Sequence, residues 1–188
     1  RPYTTVDVVI FTVLNNALQV LLVQRPLHDN EPFHGLWALP GGFVNVGLDA
    51  DLQACAERKL LDKTGIDSPY LEQLGSWGSA TRDPRGWSAT HVYFALIASL
   101  HLKLSKGANA ADVAWFVVDD LLEQPQLAFD HSAILRAAVD RLRGKVEYTS
   151  LPAFLLAEPF TLPQLQHTYE IFLFRPIDKS GFRTRMLA

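Results

Sequence analysis

The chain has 188 residues, of which 48% are hydrophobic and 20% are charged. This balance provides the apolar side chains of a packed core and excludes a disordered protein, and the length suits one or two domains. No apolar run approaches the roughly 18 residues that a membrane-spanning helix needs, so no membrane partner is expected. The single cysteine, Cys55, excludes an internal disulfide and is consistent with the reducing cytoplasm, where we expect the protein to act.

The charge is unevenly distributed along the chain. Residues 141–188 contain seven of the 17 Lys and Arg but only four of the 20 Asp and Glu, although the whole chain has a net charge of −3. A cationic segment that follows an acidic body indicates a second module with an anionic partner.

The first elements are predicted to be a β-hairpin and a loop. Residues 4–14 and 17–25 are apolar and β-branched, and they flank Asn15 and Asn16, which tolerate the left-handed conformation of a tight turn. The stretch HGLWALPGGFV, residues 34–44, is expected to form a loop that closes on a Gly-Gly turn.

A helix is predicted to follow this loop. Asp49 is the expected N-cap, and Gly65 is expected to end the helix as a C′ glycine. The apolar residues of the helix recur at helical spacing and comprise Leu52, Cys55, Ala56 and Leu60.

Three strands and one more helix are predicted in the rest of the body: 70–79, 88–100, 112–118 and, for the helix, about 130–143. Asp130 or Ser132 is the expected N-cap of this helix. The mixed order of strands and helices predicts an α/β body over residues 1–143 and a second domain over residues 144–188.

The second domain has a helix-turn-helix pattern. Thr161 is the expected N-cap of its first helix, whose apolar face comprises Leu162, Leu165, Tyr169 and Phe172. The stretch RPID then makes a turn, and KSGFRTRMLA begins a second helix that is rich in cations. Helix, short turn and cationic helix is the order of a DNA-binding helix-turn-helix motif.

The stretch RKLLDKTGI resembles the box helix of Nudix pyrophosphohydrolases, which reads R-E-U-x-E-E-x-G-U with U an aliphatic residue. In those enzymes, carboxylates on one face of the helix hold Mg²⁺ against a pyrophosphate. Lys59 and Lys63 occupy the first and last of these positions, which stack on one helix face, and Asp62 keeps an acid. The loop between Gly42 and Arg58 is also two residues longer than the standard spacing.

The two lysines predict a site that binds a pyrophosphate and does not cleave it. Each ammonium would oppose a divalent cation by several kcal/mol at an effective dielectric near 20, whereas it would attract a pyrophosphate directly. We therefore expect no catalytic residue and no metal, and Asp62 is a magnesium ligand only if hydrolase activity survives. The alternative, left open by the sequence, is that Lys59 and Lys63 lie on a solvated helix face.

Further cations and aromatic residues are expected to line the same cleft. Trp37, Trp87 and Phe43 are candidates to stack on an adenine, although tryptophans in loops are as often packing residues. Arginines on loops are equally consistent with simple exposure to solvent. The predicted ligand-binding set is Arg25, Gly41, Gly42, Phe43, Arg58, Lys59, Lys63, Arg82 and Arg85.

In both halves the chain resembles the Nudix-related transcriptional regulators of NAD metabolism, the NrtR family. LPGGFV and ERKLLDKTGI resemble its degenerate Nudix box, and RDPRGWSATHVYFALI and LAFDH resemble its later segments. EPFTLPQLQHTYEIFLFRPIDKSGFRTRML is similar to its C-terminal winged-helix module. The resemblance covers nearly the whole chain and implies a Nudix-fold α/β/α sandwich with a C-terminal winged helix-turn-helix domain.

The family implies a repressor of genes for NAD biosynthesis or salvage. Its Nudix domain senses ADP-ribose as an effector and requires no cofactor. When the ligand binds, the repressor releases operator double-stranded DNA. A homodimer is expected because two winged helices would read a two-fold operator.

The resemblance also places the recognition helix after Asp178. Phe174 stands where relatives commonly have glycine, and SGFRTR has fewer arginines than relatives show, which leaves the operator contacts open. The given sequence ends at Ala188, before the wing that the family implies. The predicted DNA-binding residues are Thr161, at a helix N-terminus, and Lys179, Ser180, Arg183 and Arg185.

Two other functions remain compatible with the sequence. An active pyrophosphohydrolase would cleave ADP-ribose or a related nucleoside diphosphate derivative with magnesium at Asp62, and its C-terminal module would serve dimerisation. A regulator of the same fold would instead respond to another metabolite, such as a sugar.

Overall fold

The computed structural model describes residues 1–67, 70–98, 104–107, 109–124 and 126–188. The elements in chain order are β1 (Tyr3–Leu14), β2 (Ala17–Gln24), β3 (Trp37–Ala38), β4 (Gly41–Phe43), α1 (Leu52–Thr64), β5 (Leu71–Ser79), β6 (Ser88–Leu96), β7 (Asp112–Val117), α2 (Val118–Glu123), α3 (His131–Val146), a 3-10 helix (Leu151–Leu155), α4 (Leu162–Leu173) and α5 (Lys179–Leu187). Within the described residues, no helix is long and apolar enough to cross a membrane.

The predicted hairpin is confirmed and lies at the centre of a seven-stranded mixed sheet. Asn15 and Asn16 adopt φ values of 52° and 57° in its turn, the left-handed conformation that asparagine tolerates. The strand order is β3-β2-β1-β6-β5, in which β1 and β6 are parallel, while β4 pairs with β1 and β7 with β2. The predicted strand over 88–100 is β6, and positions 99 and 100 lie outside the described residues.

The two hairpin strands separate at their outer ends. Val23 and Gln24 of β2 pair with β3, whereas Thr5–Asp7 of β1 pair with β4. The expectation of a Gly-Gly turn is wrong, because Gly41 and Gly42 belong to β4 and continue the sheet. The short strands β3 and β4 therefore line the opening between β1 and β2, and this opening becomes a cleft.

Side chains alternate along β1, so this strand contributes apolar residues to both faces of the sheet. Val6, Val8 and Ile10 face α1, where the buried cluster includes Cys55, Ala56 and Leu60. Val9 and Phe11 face α3 on the opposite side. One helix layer on each face of a sheet is the predicted α/β/α sandwich, and period-two burial along the strand is its physical basis.

The N-cap of α1 differs from the prediction. Asp51 caps the helix and accepts a hydrogen bond from the backbone N–H of Ala54 at 2.8 Å, so the assignment of Asp49 as the cap is wrong. Asp49 lies two residues earlier and pairs with Arg58 instead. Gly65 ends the helix in the left-handed conformation, as predicted, with φ of 71°.

Helix α3 runs three residues beyond residue 143, the position at which the sequence predicts the domain boundary. Asp130 precedes the helix, but its carboxylate makes no capping hydrogen bond, and Ser132 accepts a hydrogen bond from the N–H of Leu127. The division at residues 143 and 144 therefore cuts through the last turn of α3 and stays a prediction.

The C-terminal helices continue the core of the sandwich. Thr161 caps α4 within a capping box that it forms with Gln164, as the sequence predicts for Thr161. Tyr169 of α4 is fully buried, and its ring packs edge-on against Phe182 of α5 at a centroid distance of 5.2 Å. Both residues belong to the same apolar cluster as α3 and one face of the sheet. The helix-turn-helix is therefore packed onto the sandwich rather than tethered to it.

The corrected N-cap gives a stability prediction. We expect Asp51→Ala to lower the free energy of unfolding by about 1 kcal/mol, because the N–H of Ala54 loses its acceptor. Asp51→Asn should retain most of the stability, since asparagine is an equally good cap. Urea denaturation measures both variants, and equal losses in the two would contradict the assignment.

Candidate functional site

A cleft of about 800 Å³ opens between the separated strands β1 and β2, beside α1. This volume is typical of sites for small molecules. The cleft brings together all nine residues of the predicted ligand-binding set: Arg25, Gly41, Gly42, Phe43, Arg58, Lys59, Lys63, Arg82 and Arg85.

The four arginines of the cleft are each engaged by a carboxylate. The pairs are Arg25 with Glu31 at 3.3 Å, Arg58 with Asp49 at 2.6 Å, Arg82 with Asp130 at 2.8 Å, and Arg85 with Asp83 at 2.7 Å. Burial and the like charge of Arg85 lower the pKa of Arg25. Ion pairs orient the arginine side chains, and any anion in the cleft competes with carboxylates for them.

Lys59 and Lys63 differ from the arginines, since neither has a carboxylate partner in the described part of the chain. Lys59 crosses over Gly42, and a Cβ placed on that glycine would lie 3.0 Å from the Lys59 ammonium. Lys63 donates a hydrogen bond to the backbone carbonyl of Lys106. Burial lowers the pKa of Lys63; Asp62 opposes this shift and the like charge of Lys59 adds to it. The two ammonium groups therefore form the unneutralised positive end of the cleft.

The pair formed by Asp49 and Arg58 fixes the loop that precedes α1. Arg58 donates to both oxygens of Asp49, at 2.6 and 2.7 Å, and the N–H of Asn45 donates to the same carboxylate at 2.7 Å. The hydrogen bond from Arg58 lowers the pKa of Asp49 against the opposing effect of its burial. Arg58 thus positions the longer loop against α1, and its guanidinium is largely committed to this role.

The donor set beside α1 does not fit a magnesium ion. The two helix positions that face the cleft carry ammonium groups, and Asp62 is exposed, lies near Arg58 at 3.9 Å, and is not among the residues that line the cleft. Among the described residues, no group of three or more His, Cys, Asp or Glu side chains is arranged to hold a metal. Magnesium needs carboxylate oxygens in addition to substrate phosphates, and here they are replaced by cations.

The three aromatic residues that were predicted as stacking candidates lie in different places. Phe43 lines the cleft, is 47% exposed, and has the guanidinium of Arg85 over its ring at 5.4 Å. Trp37 packs against Phe116 at a centroid distance of 4.7 Å, and neither it nor the half-exposed Trp87 lines the cleft. The geometry therefore supports Phe43 as a stacking residue and leaves Trp37 as a packing residue.

Sequence reasoning missed the floor of the cleft. Asp7 on β1 is buried there, and its Oδ2 accepts a hydrogen bond from Thr90 at 2.6 Å. His131 lies 3.7 Å from the same oxygen, and its Nδ1 accepts from the N–H of Leu39 at 2.9 Å. The signal was an acidic residue inside the apolar strand β1, since buried carboxylates are rare unless they are paired.

The first turn of α3 forms one wall of the cleft. Arg82 donates to both oxygens of Asp130, and Leu39 donates to His131, as described above. Just before the helix, the N–H of Ala128 donates to the carbonyl of Trp37 at 2.8 Å. Two of these contacts tie the start of α3 to the cleft residues Arg82 and Leu39, and the third ties it to β3.

The other end of α3 contacts the helix-turn-helix. Glu147, the residue after the helix, pairs with Arg175 at 3.4 Å, and its carbonyl accepts from Arg185 at 3.0 Å. Arg143 lies over the ring of Phe174 at 4.6 Å. Phe174 has φ of 52°, a left-handed conformation that glycine adopts with less strain than phenylalanine.

The predicted DNA-binding residues lie on the surface, but not all have uncommitted side chains. Lys179, Ser180 and Arg183 are exposed on α5, which Asp178 caps. Arg185 is exposed as well, although it bonds to the carbonyl of Glu147. The hydroxyl of Thr161 is used within its capping box. Within the described residues, neither Lys179 nor Arg183 has a side-chain hydrogen bond or ion pair, so these two cations of α5 are less constrained than Arg185.

The turn between α4 and α5 is held in one conformation. Glu170 accepts from the N–H of Ile177 at 2.8 Å, and Gln166 donates to the carbonyl of Ile177 at 2.9 Å. The hydrogen bond from Ile177 lowers the pKa of Glu170, and Gln166 contributes to the same shift. These bonds fix the angle at which α5 leaves the sandwich.

Comparison with known proteins identifies both modules. Residues 4–138 match the NUDIX domain, and residues 152–188 match the NrtR DNA-binding winged helix domain. The ADPR responsive transcriptional repressor NtrR of Acinetobacter baylyi is 48% identical over 186 residues, which cover 99% of this chain and 72% of that protein. The ADP-ribose pyrophosphatase of Methanocaldococcus jannaschii is 32% identical over 145 residues, 77% of this chain and 78% of its own length.

Solved structures agree with this result. The crystal structure of Shewanella oneidensis NrtR superposes with a TM-score of 0.88 at 44% identity and covers 98% of this chain and 84% of that one. The same protein has been solved with a 27mer DNA, with the same TM-score and coverage of 98% and 82%. Its NUDIX domain, solved with ADP ribose, has a TM-score of 0.67 over 76% of this chain and 89% of that domain. The chain therefore belongs to the NrtR family, in which a NUDIX domain is joined to a DNA-binding winged helix.

Proposed function

We propose that the protein is a transcriptional repressor that binds operator DNA through its winged helix and releases it when ADP-ribose occupies the cleft. The observation that carries this proposal is helix α3, because its first turn lines the cleft and its last turn contacts the helix-turn-helix. A relative that aligns with 99% of this chain is an ADPR responsive transcriptional repressor, which supports the combination of DNA binding with a response to ADP-ribose.

The effector is assigned from the charge of the cleft. Lys59 and Lys63 supply two ammonium groups without carboxylate partners in the described part of the chain, and a pyrophosphate supplies the matching negative charge. At 4 Å and an effective dielectric near 20, each such contact contributes about 4 kcal/mol of Coulomb attraction before desolvation is subtracted. The lysines would thus replace the metal as counter-charge, and no cofactor is needed. The NUDIX domain of the Shewanella protein, at 44% identity, was solved with ADP ribose.

The DNA partner is assigned from the C-terminal module. Helix α5 presents Lys179, Ser180 and Arg183 to solvent from a fixed turn, and the Shewanella relative was solved with a 27mer DNA. We propose that two copies of the chain form a homodimer on a two-fold operator, since winged helices read half-sites in pairs. In line with the family, its target genes would serve NAD biosynthesis or salvage, and the protein would act in the cytoplasm.

The alternative is an ADP-ribose pyrophosphatase, and the relative from Methanocaldococcus jannaschii is the observation in its favour. The alternative needs a metal site, for which Asp62 is the candidate acid on α1. Two ammonium groups beside this position and the exposure of Asp62 outside the cleft argue against it.

Removing the lysine charges should weaken ligand binding. We expect Lys59→Ala combined with Lys63→Ala to reduce the affinity for ADP-ribose by at least tenfold, because the pyrophosphate loses both cations that have no carboxylate partner among the described residues. Calorimetry in the absence of metal measures the change, and Lys179→Ala combined with Arg183→Ala, on the other module, is the charge-matched control. Unchanged affinity would contradict the assignment, and turnover of ADP-ribose with Mg²⁺ that is lost in Asp62→Ala would establish the hydrolase instead.

Arg183 should read or anchor the operator. We expect Arg183→Ala to weaken operator binding by about 1–3 kcal/mol, the range for a bidentate contact to a base. Arg183→Lys separates the two roles, because lysine keeps the attraction to phosphate but loses the bidentate geometry. A gel shift that is indifferent to both changes would remove Arg183 from the interface.

A substitution at the start of α3 should weaken the release of DNA by ADP-ribose without weakening the binding of DNA or of ADP-ribose alone. Asp130→Asn breaks the ion pair with Arg82, so we expect operator binding and ADP-ribose binding to persist while release of DNA by ADP-ribose becomes at least fivefold weaker. A gel shift with and without ADP-ribose measures release, and the wild type in this assay tests the proposed function directly. Asp140→Asn, an exposed position on the same helix, is the control. Full release in Asp130→Asn would show that the signal takes another route.

A further inference from the structure

The floor of the cleft holds a carboxylate that the proposed pyrophosphate site does not use. Asp7 is 6% exposed and lines the cleft. Its two protein contacts converge on one oxygen: Thr90 donates to Oδ2 at 2.6 Å, and Nε2 of His131 lies 3.7 Å from the same atom. Since Nδ1 of His131 accepts the N–H of Leu39, the ring proton is on Nε2 and faces Asp7.

The second oxygen of Asp7 is left for a ligand. Within the described residues, no protein donor lies in hydrogen-bond range of Oδ1. Among the side-chain N and O atoms of those residues that are fully enclosed by protein, only Nε of Arg143 lacks a hydrogen-bond partner. Oδ1 of Asp7 also lacks a partner among these residues but does not belong to this group, so it is not fully enclosed and is accessible from the cleft. An ionised carboxylate accepts several hydrogen bonds, and an unused acceptor that is nine-tenths buried is a costly arrangement without a ligand.

Neighbouring groups keep this carboxylate ionised. Burial alone would raise the pKa of Asp7, but the neighbouring His131, the hydroxyl of Thr90 and the charge of Arg82 outweigh it and lower the pKa. The group therefore acts as an acceptor and not as a donor.

The glycine pair lies between this acceptor and the ammonium of Lys59. A Cβ on Gly41 would lie 1.9 Å from Oδ1 of Asp7, and a Cβ on Gly42 would lie 3.0 Å from the ammonium of Lys59. Successive positions of a strand point to opposite faces of the sheet, so the two groups approach the glycine pair from opposite sides. Both groups line the cleft, and a ligand that reaches both must therefore extend past the glycine pair and carry a hydroxyl or another donor beyond its phosphates, as a nucleoside diphosphate sugar does.

The rim of the cleft suggests where a base would lie. Tyr3 and Phe43 are 40% and 47% exposed, and their rings are in contact at a centroid distance of 5.7 Å. Arg85 lies over the ring of Phe43, and a planar base can stack on its guanidinium at this rim. A base at the exposed rim leaves the opposite end of the ligand for the buried floor, where Asp7 lies.

We propose that Asp7 determines specificity: its Oδ1 accepts a hydrogen bond from a hydroxyl of the sugar that is joined to the pyrophosphate on the side away from the base. The cleft thereby selects a nucleoside diphosphate sugar over the nucleoside diphosphate itself. This inference rests on the proposed function, since it concerns the same cleft.

The test compares ADP-ribose with ADP, which lacks the second sugar. Calorimetry on the full chain should show that Asp7→Asn binds ADP-ribose about tenfold more weakly, because a charge-assisted hydrogen bond is lost. The same variant should bind ADP with unchanged or slightly higher affinity, because a negative charge near the pyrophosphate has been removed. The variant therefore weakens the binding of ADP-ribose but not the binding of ADP.

Other roles for Asp7 give other patterns. A purely structural role of Asp7 would weaken the binding of both ligands, and a purely electrostatic role would strengthen the binding of both. Either result overturns the inference.

Thr90→Val is the matched control. It removes the buried hydrogen bond between Thr90 and Oδ2 of Asp7 but keeps Oδ1, so it should keep the preference for ADP-ribose. Lys59→Ala should weaken both ligands. A wild type that binds both ligands equally overturns the inference alone, whereas one that binds neither overturns the proposed function as well.

Discussion

Helix α3 is the constraint on which the arrangement depends, because its two ends belong to different sites. Its 16 residues span about 24 Å. At its start Asp130 and His131 are held by cleft residues, and just beyond its end Glu147 holds two arginines of the helix-turn-helix. A packed helix transmits a displacement of one end to the other because protein interiors have little free volume. The proposed coupling between the cleft and α5 therefore needs only this packing and no flexible linker.

The charges of the cleft divide into two classes with different consequences. Arginines that are already paired, such as Arg82 and Arg85, gain less from an anionic ligand, since each must give up or share a carboxylate. The lysines on α1 have no such competitor among the described residues and bear most of the attraction. Among the paired arginines, Arg82 would have the greatest effect outside the cleft, because the carboxylate that it would share, Asp130, lies at the start of α3.

Local signals predicted much of this structure. Asn15 and Asn16 marked the hairpin turn, Gly65 the end of α1, and Thr161 the start of α4, because turns and caps are set by neighbouring residues. The cap of α1 was misplaced by two residues, since Asp49 and Asp51 are equally good caps in isolation and only the distant Arg58 distinguishes them. In this case a tertiary ion pair decided a local choice.

The same limit applied to the site. All nine predicted cleft residues lie together because the hairpin, the glycine pair and the box helix form a known frame. Asp7, Thr90 and His131 were missed because they meet across 83 residues or more of sequence. No periodicity in the sequence carries information about such a contact. The unusual carboxylate in β1 indicated a partner without identifying it.

Thermodynamic linkage adds a constraint to the proposed mechanism. If ADP-ribose weakens operator binding by some factor, operator DNA must weaken ADP-ribose binding by the same factor. Typical couplings of about 1–3 kcal/mol are smaller than the cost of about 3–5 kcal/mol for breaking a buried ion pair outright. The pair between Arg82 and Asp130 is only partly enclosed, with Asp130 25% exposed. A ligand phosphate that binds Arg82 while Asp130 keeps its ion pair would therefore change the energy by an amount in the range of typical couplings, whereas a phosphate that displaced Asp130 would cost more.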